Sequence, residues 1–271
     1  MPELPEVEVT CRGIAPYITT QTISKIIIRH PQLRWPIPPQ LPKLLRHQTV
    51  LSVERRAKYI LVYTTNGVMI MHLGMSGRLK IVPATLPAAK HDHVDIVFAH
   101  DLVLRYTDPR RFGALLFVKD DPFTHPLLKD LGPEPLDTFF NAKYLHQQAQ
   151  SRRIAMKIFI MTNQVVVGVG NIYANEALFM AGIHPERPAF SLTMDESTRL
   201  AKAIKQILKK AIKQGGTTLR DFFNSDGKPG YFQQTLQVYG RSEQPCVSCM
   251  QTLQTIWQGQ RRTVFCGNCQ A

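Results

Sequence analysis

An α+β protein in two parts is predicted: an antiparallel β-sandwich with one flanking helix, then a helical region ending in a zinc ribbon. Three observations predict it. Residues 22–119 fall into short apolar or alternating runs separated by turn-forming clusters, the pattern of strands. Beyond residue 151, apolar residues recur at helical spacing. Four of the five cysteines stand in two Cys-x2-Cys pairs at the end of the chain.

The first helix is announced by Pro5 near its first turn and by Glu3, Glu6 and Glu8, which suit the positive end of a helix dipole. Strand signals follow in TISKIIIRH, in YILVYT and VMIMHL placed about Asn66-Gly67, and in HVDIVFA, LVLRY and GALLFV. Asp120 to Asp137, rich in proline and without periodicity, reads as a linker. RRIAMKIFIM and NIYANEALFMA then read as helices, and Thr193-x-x-Glu196 is a capping box opening a basic helix closed by Gly215-Gly216. The domain boundaries expected are 1–136, 137–235 and 236–271.

A length of 271 residues, 44% hydrophobic and 20% charged, suits a globular protein of two domains. Against 33 Lys and Arg stand 20 Asp and Glu, a formal charge of +13. That balance points to a polyanion, nucleic acid foremost, although ribosome-bound and peripheral membrane proteins share it. No apolar run approaches the ~18 residues of a membrane span; the richest, near Ile26, is broken by Arg29 and His30. MPELPEVEVT lacks the basic and apolar regions of a secretion signal, so a reducing cytosol is expected. There the cysteines suit a metal better than disulfides, and Cys11 is expected to pack on its helix.

Cys246, Cys249, Cys266 and Cys269 have the spacing of two zinc knuckles, with sixteen residues between the pairs. Four thiolates fill a tetrahedral shell and leave no open position, which makes such a zinc structural; a redox pair is the alternative. Arg261 and Arg262 fall near the tip of the hairpin between the pairs, and the sequence leaves open which of them engages a partner.

At the other end, removal of Met1 would free a secondary amine on Pro2, with an α-amino pKa near ~8 that desolvation lowers. Attack on a sugar C1′ by such an amine gives an iminium ion, an electron sink for elimination at neighbouring carbons. The adjacent Glu3, kept protonated by burial, would donate to the ring oxygen as the sugar opens. Alone, a Pro-Glu start is equally the beginning of a helix.

MPELPEVE, HLGMSG, DPRRFG, GVGNIY, SDGKPGYF, LQVYG and the cysteine quartet occur in this order. In them the chain resembles the bacterial formamidopyrimidine-DNA glycosylase family from end to end. The resemblance implies a helical domain of helix-two-turns-helix type, one structural Zn2+, a monomer, and double-stranded DNA containing an oxidised purine in a basic cleft between domains. It also implies excision of 8-oxoguanine and formamidopyrimidines, then nicking by β,δ-elimination through a Schiff base.

The nucleophile falls on Pro2 and the proton donor on Glu3. Lys58 matches a strand lysine associated with elimination, and Arg261 a hairpin arginine that grips phosphates and is assigned to δ-elimination. Met75, Arg110 and Phe112 match the residues filling the gap left by the extruded nucleotide, Arg110 reading the opposite cytosine. His91, Arg153 and Lys157 on the first helix of the second domain, and Asn171 at a helix start after Gly168 and Gly170, match phosphate contacts. Residues 217–231 match a segment that closes over the extruded base. An endonuclease VIII-like enzyme acting on oxidised pyrimidines and a zinc-ribbon DNA-binding protein without catalysis are the alternatives.

Overall fold

A computed structural model describes residues 2–99, 101–217 and 235–271, in two compact units: Met1–Lys129 with Gln214–Tyr231, and Asp130–Lys213 with Phe232–Ala271. The boundary at Lys129 falls inside the predicted linker. The segment expected to close over a base lies outside the described residues after Thr217.

In the first unit, α1 (Leu4–Ile18) buries Leu4, Val7, Cys11, Ile14 and Ile18, one face at i, i+3 and i+4 spacing. Glu8 bridges Arg12 and Arg55, the latter reaching over from β2 (Val50–Arg56) and tying helix to sheet. Cys11 packs as expected, and burial pushes its thiol up to about 12.

Eight strands form two antiparallel four-stranded sheets. One has the order β1 (Ile23–Ile28), β6 (Asp92–Phe98), β7 (Leu102–Thr107), β5 (Arg78–Pro83). In the other, β2 is followed by β3 (Tyr59–Thr64), β4 (Gly67–His72) and β8 (Ala114–Val118). Ile14, Ile60, Met69, Met71, Leu104 and Tyr106 belong to the one core they enclose. β2, β5 and the five-residue α2 (Leu41–Leu45) carried no distinct sequence signal.

The Asn66-Gly67 reading is shifted by one residue. Thr64 pairs with Gly67, so Thr65-Asn66 form the turn. Gly67 serves a different need, because a Cβ there would stand 2.4 Å from the Val118 carbonyl oxygen on β8.

The second unit holds α3 (Ala142–Ala149), α4 (Met156–Met161), α5 (Asn171–Ala181), α6 (Met194–Lys213) and the hairpin of β9 (Gln254–Gln258) with β10 (Arg261–Phe265). Leu200, Ile204, Ile207, Leu208 and Ala211 form the buried stripe of α6. The capping box is present: Glu196 accepts the Thr193 N–H at 2.9 Å, and Thr193 Oγ1 accepts the Glu196 N–H at 3.2 Å. Arg187 adds two charge-assisted bonds to Glu196, holding its carboxyl down at about 2. No described helix is long and apolar enough to cross a membrane.

Candidate active site and metal centre

The sequence Pro-Glu-Leu-Pro-Glu builds the start of α1 as a clamp. Glu3 is the N-cap and forms a reciprocal capping box with Glu6, whose Oε2 accepts the Glu3 N–H at 2.8 Å. The second oxygen of Glu6 accepts the Thr217 N–H at 2.8 Å, and Gly216, at φ +82°, leaves room for that approach. Pro2 and Glu3 are both buried, so the backbone next to the candidate nucleophile is fixed by a buried carboxylate. The helix dipole alone makes Glu6 a favourable charge; its spacing of three from Glu3 is the sequence signal for the capping box.

Lys58 occupies the two-residue turn between β2 and β3 with Ala57, at φ +55°, rather than a strand. The strand reading failed because β2 and β3 pair up to Arg56–Tyr59, which leaves only Ala57 and Lys58 to reverse the chain. His72 pairs with Tyr59 across β3 and β4, their rings 4.9 Å apart, and its Nδ1 accepts the Gly74 N–H at 3.0 Å. Burial, then the charges of Lys58 and Arg34, push its imidazole down to about 4. His72 is therefore neutral at pH 7 and orients the turn that carries Met75.

That pKa sets an acid dependence. An unfolded histidine titrates near ~6.5, so the unfolded chain takes up this proton first. The contribution is complete above pH 6.5 and is lost as pH falls toward 4. Unfolding between those values is expected to absorb about one more proton in the parent than in His72→Asn. Matched urea titrations across this range check it, and parallel pH slopes would remove His72 as the cause.

Met75 and Phe112 lie exposed in turns. They are 37% and 46% exposed, on the turns Leu73–Gly77 and Asp108–Gly113, and the Arg110 guanidinium lies 4.9 Å from the Phe112 ring centroid. Glycine lets the two turns approach, since a Cβ on Gly74 would stand 2.4 Å from the Phe112 carbonyl carbon and one on Gly113 2.5 Å from the carbonyl oxygen of His72, just before the first turn.

Asp108, fully buried, fastens them together. Its Oδ1 accepts Ser76 Oγ at 2.7 Å, and its Oδ2 accepts Tyr106 O–H at 3.0 Å and the Gly113 N–H at 2.9 Å. Ser76 Oγ in turn accepts the Arg110 N–H at 3.1 Å. The Asp108 N–H donates to the His91 carbonyl, which places His91 beside the same turn. Asp108→Ala leaves three donors without their acceptor and is expected to cost about 3 kcal/mol. Urea unfolding measures this, and a loss below about 0.5 kcal/mol, the scale of an ordinary surface change, would deny Asp108 its fastening role.

In the second unit, Asn171 opens α5 after the N-cap Gly170, as expected. Its Nδ2 donates to the Arg262 carbonyl at 3.2 Å, while its buried Oδ1 has no partner among the described residues. Arg153 is exposed but stands before α4, not on a helix, and the first helix of this unit is α3. The periodicity of RRIAMKIFIM overran because Ala155 forms a β-bridge to Pro188, which holds the preceding chain extended.

Lys157 does lie on α4, yet it is fully buried. Its ammonium donates to Thr263 Oγ1 at 2.6 Å and to the Arg262 carbonyl at 3.3 Å, so it braces the hairpin. The hairpin turns at Gly259-Gln260, both at positive φ. Successive side chains of β10 alternate, which puts Arg261 on the face of Thr263 and Lys157 and Arg262 on the opposite one.

The four predicted cysteines converge, their sulfurs within 4.8 Å of one another. Cys246–Cys269 are 3.9 Å apart and Cys249–Cys266 3.4 Å. Four thiolates at ~2.3 Å from one zinc in a tetrahedron would stand ~3.8 Å apart, so the donor set fits. Cys246 and Cys266 pack with Val238, Leu253, Val264 and Phe179 of α5, making the ribbon part of the second unit. Glu176, also on α5, accepts the N–H groups of Gln237, Val238 and Tyr239 at 2.8–3.0 Å and holds the chain that enters the ribbon.

The family model described as formamidopyrimidine-DNA glycosylase N-terminal domain matches residues 1–115, and the H2TH domain of the same family matches 131–223. The formamidopyrimidine-DNA glycosylase of Hydrogenovibrio crunogenus is 56% identical over 270 residues, covering 100% of this chain and 96% of that protein. That of Vibrio cholerae is also 56% identical, with both chains covered in full. The crystal structure of the MutM (Fpg) protein from Thermus thermophilus superposes with a TM-score of 0.89 at 36% identity, covering 99% of this chain and 98% of that one. Lactococcus lactis Fpg (MutM) in complex with N7-benzyl-Fapy-dG-containing DNA gives 0.92 at 34% identity, with 99% of each chain covered.

Proposed function

Because the chain belongs to the formamidopyrimidine-DNA glycosylase family, we propose that it excises oxidised purines, 8-oxoguanine opposite cytosine and formamidopyrimidines, from duplex DNA and then nicks the strand. The observation carrying this reading is the start of α1, where Pro2 and Glu3 are buried beside a carboxylate that fixes their backbone. Full-length likeness to relatives of that name supports it, and a Lactococcus lactis Fpg mutant is solved in complex with Fapy-dG-containing DNA.

After Met1 is removed, the Pro2 nitrogen attacks C1′; the N–C1′ bond forms as the bond to the base breaks, and the base leaves with a proton. Glu3 protonates the ring oxygen, the C1′–O bond opens, and the iminium results. Loss of the C2′ proton expels the 3′ phosphate, and loss of the C4′ proton from the conjugated product expels the 5′ phosphate. Lys58 serves these eliminations, and Arg261 holds the phosphates through the second. Met75, Arg110 and Phe112 occupy the space of the extruded nucleotide, with Arg110 donating to the opposite cytosine. His91, Arg153 and Asn171 hold phosphates, and Lys157 supports them through the hairpin it braces. The zinc that Cys246, Cys249, Cys266 and Cys269 would hold supplies a crosslink and no open coordination position. The enzyme acts as a monomer in the bacterial cytoplasm, with domains 1–136, 137–235 and 236–271.

Borohydride reduction in the presence of a duplex with one 8-oxoguanine tests the reading. A covalent adduct located at Pro2 is expected, weaker with an oxidised pyrimidine. Pro2→Gly, which keeps a primary amine able to form an imine, is expected to retain the fold and form the adduct more slowly. Binding without any adduct would leave a DNA-binding module; preference for the pyrimidine would make the enzyme endonuclease VIII-like.

A further inference from the structure

The hairpin has a second face that the proposed reaction does not use. Trp257 on β9 pairs with Arg262 on β10, and the guanidinium lies 5.8 Å from the indole centroid. Trp257 is 68% exposed. An indole is usually sheltered, because it carries a large apolar area whose exposure costs free energy. Here it is held out on a strand pair tied by hydrogen bonds to α4 and α5. The Arg262 carbonyl accepts both Lys157 Nζ and Asn171 Nδ2, and the next N–H but one, that of Val264, donates to Asn175 Oδ1 at 2.8 Å. A side chain fixed in advance loses little freedom on binding.

Charge identifies the partner. From Gln244 to Ala271 the sequence contains no Asp or Glu, and Arg261 and Arg262 are its charged side chains. A flat apolar ring beside an unopposed guanidinium matches a sugar–phosphate backbone, which offers an apolar deoxyribose face next to an anion. Arg261 and Arg262 project to opposite faces, so a hairpin set against DNA by one reaches a different stretch of backbone with the other.

Resting on the DNA-binding reading above, we propose that Trp257 and Arg262 form a second DNA contact that is indifferent to damage: the indole lies on a deoxyribose and the guanidinium pairs with the adjoining phosphate. This contact serves undamaged duplex as well as the lesion, and so contributes to holding the protein on DNA before a lesion is met.

Trp35 and Trp257 are the two tryptophans, so Trp35→Phe leaves Trp257 as the sole indole reporter. Titration of that protein with a short undamaged duplex is expected to change the Trp257 emission. Trp257→Ala is expected to weaken binding of the same duplex roughly fivefold, with Trp257→Phe recovering most of it. Arg262→Gln is expected to reduce the slope of log Kd against log salt by about 0.9, the loss of one phosphate contact. Unchanged Kd in Trp257→Ala with a full zinc complement, or emission indifferent to DNA, overturns the proposal. Borohydride trapping by the unmodified protein reads the enzymatic reading separately, so either can fail while the other stands.

Discussion

Glu3→Gln is expected to leave the chain folded while lowering excision of 8-oxoguanine by roughly 10² to 10⁴, the usual contribution of a positioned proton donor. The fold survives because the capping box needs an acceptor at residue 3 and the N–H that Glu6 receives is backbone; a glutamine amide keeps the oxygen and leaves that N–H untouched. What it loses is the acid proton. A preformed abasic site spends part of its time as an open-chain aldehyde, on which Pro2 can act without a donor to the ring oxygen, so nicking there is expected to fall far less than excision. Single-turnover rates on the two duplexes decide the matter. Equal losses on both would reduce Glu3 to a helix cap.

Much of this arrangement was legible in the sequence because it depends on local spacing. The Thr193-x-x-Glu196 spacing, the two residues within each cysteine pair and the glycines before Asn171 each fix a geometry within one turn of chain, and the structure has all three. Strands β1, β3, β4, β6, β7 and β8 were visible through alternation or apolar runs. β2 was not, since VLSVERR mixes charge into a strand that is mostly half-buried or exposed.

Long-range ties were the main omission. Asp108 fastens two turns 32 residues apart by accepting from Ser76, and nothing in either segment reveals the other as its partner. Lys157 matches a phosphate contact by resemblance, which carries no information on burial; its burial follows from Thr263, 106 residues later, offering a hydroxyl within 2.6 Å. That Arg261 and Arg262 project to opposite faces needed only the strand register, and that became available once the turn was located at Gly259-Gln260.

Metal removal is expected to have an effect of comparable size at the other end of the chain. β9 and β10 are five residues each, and a two-stranded ribbon of that length is marginal in water without additional support. Its apolar support is small: Val238, Leu253, Val264 and Phe179 around the cysteines. Four thiolate–zinc bonds would therefore supply most of the ordering, and free energies of ~10–16 kcal/mol are typical of such sites at neutral pH. Without the metal, Arg261 and Arg262 lose their fixed positions together, and with them the phosphate contacts assigned to the hairpin. Affinity for duplex DNA is expected to fall by about a hundredfold at physiological salt, the order expected for two or more lost phosphate contacts and their preorganisation. Cys246→Ser separates this from side effects of a chelator, since it removes one ligand from the ribbon and touches nothing in the β-sandwich. The sandwich should still melt with the pH slope assigned to His72, whereas the ribbon amides should exchange as in an unfolded chain. Tight DNA binding by a metal-free protein with an unprotected ribbon would show that the hairpin is dispensable, and the phosphate grip would then have to rest on Asn171, Arg153 and the sandwich alone.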